Sequence, residues 1–98
     1  MGEKYNMEQF DAFADKLKEK ALSVFEKNGG TERINQKLDS ISLKKATFVF
    51  RMLWRSGESI SLNYYTLVYD KEAMTITIPF YFKKNKNWRR YSTIISLK

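Results

Sequence analysis

Residues 83 to 91 read KKNKNWRRY, which places five cations and two aromatic rings in nine positions with no acid among them. Ammonium and guanidinium groups hold phosphate oxygens, and a flat ring offers an unpaired base a surface on which to stack. Lys83, Lys84, Lys86, Trp88, Arg89 and Arg90 supply these groups here, and Arg51, Arg55 and Tyr81 carry the same combination into neighbouring segments. The chemistry is binding. Catalysis lacks its usual parts: the chain has no cysteine and no histidine, so thiolate zinc sites, cysteine nucleophiles and the commonest general base are all missing. Glu58, Asp70 and Glu72 are the only acids beyond residue 41, and all three fall in expected turns, where nothing pairs two of them for acid–base work or for Mg²⁺. The sequence reads as a non-enzyme without cofactor or metal.

The same residues have plainer uses. Lysines keep a hairpin tip and its edge soluble, and tyrosine and arginine favour solvated strands, where they form cross-strand and cation–π pairs. Trp88 argues for more, because a tryptophan flanked by cations is costly as solvent decoration and suits a stacking platform or an interface anchor. Its structural alternative is to cover the open end of the core together with Trp54. Neither RRM nor KH signatures are present, nor a P-loop, nor zinc-finger spacing.

Charge is divided unevenly along the chain. Residues 1–41 hold seven Lys/Arg and eight Asp/Glu, a net of −1, whereas residues 42–98 hold eleven and three, a net of +8. One half builds the fold and the other meets an anionic partner.

The elements that must position these groups begin with a helix. Phe10, Phe13, Ala14, Leu17, Ala21, Val24 and Phe25 recur at three- and four-residue spacing, which predicts an amphipathic helix over 7–28. Asn6 serves as its N-cap, with Gln9 three residues on, and Asn28-Gly29-Gly30 ends it. Thr31 caps a short second helix carrying Ile34, Leu38 and Ile41. The helical part therefore covers 7–40.

From residue 43 the apolar period becomes two, and 43–98 reads as an antiparallel sheet. Strands are expected over 46–56, 59–69, 74–82 and 88–97, joined by turns at Ser56-Gly57, at 70–73 and at KKNKN. Apolar parity switches within the second strand, from Ile60, Leu62 and Tyr64 to Leu67 and Tyr69, which suggests a bulge near Tyr64-Tyr65. Pro79 cannot donate to a ladder, so it belongs at an edge or at an unpaired site. Phe48, Phe50, Met52, Ile60, Leu62, Ile76, Ile78, Phe80, Phe82, Ile95 and Leu97 are expected in the core. The opposite face then collects Lys45, Arg51, Arg55, Asn63, Thr75, Thr77, Tyr81, Lys83, Arg90 and Ser92.

The sum is one α+β domain over 1–98, in which an N-terminal amphipathic helix and a short second helix pack on a four-stranded antiparallel meander. This order of elements resembles that of cystatin-like folds. The glutamine-valine-glycine loop of the protease-inhibiting cystatins is absent, so the resemblance implies architecture and no activity. The expected function is a small basic binding protein that contacts nucleic acid, with single-stranded DNA or RNA preferred. The alternative is an inhibitor or adaptor that docks its basic face on an acidic protein. A homodimer formed through an edge strand is compatible with the same residues. No apolar run suits a membrane span or a signal peptide, which makes a cytoplasmic location the default.

Overall fold

An uninterrupted helical pattern free of proline lets the first helix run far. A computed structural model describes residues 2–84 and 86–98, with side chains over 8–83 and 86–98. In it α1 spans Gly2–Lys27 and α2 spans Gly30–Ser40. The first helix starts five residues before its expected boundary, so Asn6 lies inside it and does not cap it. Its end is as expected: Asn28 Nδ2 donates to the Val24 carbonyl at 2.8 Å, and Gly29 and Gly30 take φ of 109° and 70°. That left-handed pair lets α2 begin at once, with Gly29 as its cap and Thr31 already within it. A Cβ on Gly29 would come within 2.5 Å of the Arg33 side chain. Ile34 and Leu38 are buried, whereas Ile41, expected on the same stripe, sits at the C-cap and is exposed.

The four strands are β1 (Lys45–Ser56), β2 (Ser59–Asp70), β3 (Thr75–Lys84) and β4 (Asn87–Ser96), all antiparallel and ordered β1-β2-β3-β4. Strands of twelve residues reach about 40 Å, and the molecule is 50 Å long and about 20 Å across. Gly57, with φ 61°, opens the two-residue loop between β1 and β2, in the pattern of a type II′ hairpin. Met74, expected as a strand residue, lies in the turn at φ 54°. The last turn is also tighter than KKNKN, since Lys84 pairs with Asn87 and only two residues lie between them.

Helices cover one sheet face. Phe13, Ala14, Leu17, Ala21 and Phe25 of α1, with Ile34 and Leu38 of α2, bury against Phe50, Met52, Leu67, Tyr69, Ile76, Ile78 and Phe80. Tyr69 carries the one polar atom that this core must satisfy at its centre, and its hydroxyl donates to Asn35 Oδ1 at 2.5 Å. An ion pair between Lys71 and Asp39 fastens the β2–β3 turn to α2.

Two expected core residues belong on the other face. β1 and β2 pair without interruption from Lys45↔Asp70 to Ser56↔Ser59, so no bulge resets the parity at Tyr64-Tyr65. Leu67 and Tyr69 face the helices, and with an unbroken register Ile60, Leu62 and Tyr64 must face away. Ile60 and Leu62 are accordingly 55% and 53% exposed. Asn63 moves the opposite way, since it pairs with Met52 and so shares the helix-side face.

The ladders have unequal lengths. β1–β2 has twelve rungs and β3–β4 ten, but β2–β3 has three, from Asp70↔Thr75 to Val68↔Thr77. Hydrogen-bond alternation explains where it stops. The Leu97 N–H donates to the Met74 carbonyl at 2.9 Å, so on β3 residues 76, 78 and 80 turn their backbones to β4, and Thr77, Pro79 and Tyr81 turn theirs to β2. The Lys71 N–H donates to the Lys44 carbonyl at 2.9 Å, and by the same alternation Val68, Thr66 and Tyr64 turn their backbones to β3. The next hydrogen-bonded rung would join Thr66 to Pro79. Pro79 has no N–H to give, and beyond it the two hairpins separate as a fork.

Candidate nucleic-acid interface

The fork is bridged from behind by α1. The Phe13 ring lies 5.1 Å from Trp54 and 5.9 Å from Tyr65 on the β1–β2 hairpin, and 5.4 Å from Phe80 and 5.8 Å from Phe82 on the β3–β4 hairpin. One ring thus spans both arms. Phe10 adds Phe80, Phe82 and Tyr91 at 4.8–5.5 Å, which seats the helix more firmly on the second arm.

In front, the fork opens on the face that the helices leave bare. Tyr64, Tyr81 and Trp88 are 72%, 62% and 67% exposed there, and all three line one cleft of about 510 Å³ together with Thr66, Pro79 and Arg90. A smaller cleft of about 210 Å³ continues toward Phe13 and Trp54, sharing Tyr81 and Trp88 with the first. Each exposed ring stands directly across a rung from a cation: Tyr64 from Arg51, Tyr81 from Arg90, and Trp88 from Lys83. Yet among the described residues the cation–π contact found is a different one, Lys16 Nζ at 5.9 Å from Trp54. The three rings keep their faces free, and none of these three cations meets a carboxylate among the described residues.

Two of the three acids of the sheet half are otherwise engaged. Asp70 Oδ1 accepts from the Glu72 and Ala73 N–H groups at 3.0 and 3.1 Å, and Glu72 pairs with Lys44 at 3.0 Å. Glu58 occupies the β1–β2 loop.

Register therefore divides the expected site residues. Arg51, Arg55, Tyr81, Lys83, Trp88 and Arg90 share the bare face. Arg89 pairs with Phe82 and points its parity to the helix side, although it is exposed. Lys86 sits in the loop with φ 68°. Lys84 pairs with Asn87 along the backbone, and its side chain lies outside the described residues. Trp88 does not join Trp54: the two rings fall on opposite faces, and Trp54 packs on Phe13.

Sequence reasoning missed Tyr64, the third ring of the cleft, because the expected bulge left its orientation open. Val49, Leu53 and Ile94 were also missed as exposed apolar members of this face, where they accompany Ile60 and Leu62. Tyr65 lines the base of the cleft, and burial raises its phenol above the ordinary tyrosine value against the smaller opposing effect of a hydrogen bond with Asn63. Its hydroxyl stays protonated at neutral pH and can donate. No helix is long and apolar enough to cross a membrane among the described residues. No protein-family model, curated protein or solved structure matches this chain.

Proposed function

We propose that the protein is a non-enzymatic binder of single-stranded nucleic acid, which it holds on the bare sheet face around the fork. One observation carries this reading: three exposed rings, each opposite a cation across a rung, line a common cleft and spend neither ring face nor charge on each other. Bases stack on such rings whatever their sequence, and the neighbouring cations take the phosphates. A duplex keeps its base faces buried in its own stack, so the rings favour unpaired strands. Sequence-specific reading by a helix is disfavoured, because α1 and α2 direct their apolar sides to the sheet.

Fluorescence anisotropy with labelled single-stranded DNA, single-stranded RNA and duplex of equal length tests the proposal. Single strands should bind more tightly than duplex, with affinity falling as salt rises by a log–log slope of about −0.7 per phosphate contacted. Absence of binding to all three at low salt would refute it.

A second reading rests on the aliphatic strip Val49, Leu53, Ile60 and Leu62, exposed on the same face of the β1–β2 arm. Apolar side chains beside Arg51 and Arg55 suit a protein partner with acidic groups around an apolar centre. Failure of every nucleic acid in the anisotropy series would favour it.

A further inference from the structure

The fork has a feature that flat stacking surfaces lack. Beyond the Val68↔Thr77 rung, Tyr64 on one side and Tyr81 on the other turn backbone N–H and C=O groups into the gap past the end of the β2–β3 ladder, and the Thr66 carbonyl faces a proline that has no N–H to give. Their side chains, with Trp88, stand at its rim. Donors and acceptors thus alternate along the walls of a cleft whose mouth is aromatic.

We infer that the fork captures one unstacked nucleobase edge-on, which deepens and rests on the nucleic-acid reading above. A base inserted between the arms presents donors and acceptors along its edge to the Thr66 and Tyr81 backbones, while its faces lie against Tyr64, Tyr81 and Trp88. Arg90, on the wall of the same cleft, holds the attached phosphate. The cleft of about 510 Å³ lies within the range of small-ligand sites and admits a base with its sugar, not a helix. Backbone groups offer both hydrogen-bond polarities, so capture tolerates any base and requires only that it be unpaired. Pro79 is the residue that creates the site. By withholding the donor of the next hydrogen-bonded rung, it leaves the Thr66 carbonyl without its strand partner and open to the ligand.

Amide-resolved NMR titrations of the whole protein separate base capture from phosphate attraction. Thymidine monophosphate at millimolar concentration should shift the Thr66 and Tyr81 amides and the Trp88 indole N–H, whereas ribose 5-phosphate should leave all three in place. Equal shifts with both probes, or none at these groups with thymidine monophosphate, would overturn the inference. Pro79→Val supplies the missing donor and should lower affinity for a single-stranded oligonucleotide about tenfold without changing the salt slope. Unchanged affinity in the folded variant counts against capture. Oligonucleotide binding without nucleotide shifts in the fork removes base capture alone, and loss of all binding by the unaltered protein removes the nucleic-acid reading with it.

Discussion

The two ends of the sheet use the same four strands for opposite purposes. Near the β2–β3 turn one row runs unbroken through Ala46, Tyr69, Ile76 and Ile95, and Phe25 covers it with its ring 4.9 Å from Tyr69. Near the hairpin tips the row breaks between β2 and β3, and three rings stand in solvent at the break. The kind of buried residue does not separate the ends, since phenylalanine or tyrosine is buried under the helices at both. Backbone pairing does: a completed ladder brings the arms together under the helices, and a single proline position ends it.

Phe25→Ala should therefore have the largest effect in the molecule. It removes a fully buried ring from the closed end, and the lost burial plus the cavity should cost about 3–5 kcal/mol. Tyr81→Ala at the open end should change stability by no more than about 0.5 kcal/mol, as an exposed side chain does. Urea denaturation of both variants checks the pair. Similar losses would mean that the open end carries core packing and that the division is mistaken.

The two tryptophans sharpen the same contrast on binding. Trp88→Ala should weaken single-strand affinity by about 1–3 kcal/mol and leave the thermal midpoint nearly unchanged, since it removes a stacking surface and little packing. Trp54→Ala should do the reverse, because Trp54 is half-buried against Phe13 and covered by Lys16. Affinity and melting temperature measured side by side decide this. Unaltered affinity in a folded Trp88→Ala protein would end the stacking role.

Much of this division is legible in the sequence, and what is not has identifiable causes. The helix stripe from Phe10 to Phe25 and the alternation in TITIPFYF each satisfy a single period, so each had one solution. β2 satisfies two. Ile60, Leu62 and Tyr64 compete with Leu67 and Tyr69 for the core, and only the twelve-rung register with β1 decides between them. Asn6 misled for a different reason: capping residues are also tolerated inside helices, and no breaker precedes it in GEKYN. Pro79 signalled an edge or an unpaired site, and it pairs with Ser92 of β4 but has no ladder partner on the side facing β2. That the site would be a fork lined by Tyr64, Tyr81 and Trp88 depends on which way its nitrogen points, which follows from pairing with β4 and not from local sequence.

Arg89 and Arg90 yield the smallest effect and the finest test of which face binds. They are adjacent, equally charged and both exposed, so a merely basic hairpin would use them alike. Strand parity separates them: Arg90 stands across from Tyr81 and lines the cleft, whereas Arg89 stands across from Phe82 on the helix side. Arg90→Ala should weaken single-strand binding modestly and reduce the magnitude of the log–log salt slope by about 0.7, the share of one phosphate contact. Arg89→Ala lowers the overall charge by the same amount but removes no contact, so its slope should stay at the wild-type value and its affinity fall less. Anisotropy titrations over a range of salt concentrations on the two variants and the wild type supply the comparison. Equal slope changes would show that the nucleic acid responds to the charge of the tip as a whole, and the assignment of binding to the bare face would then fail.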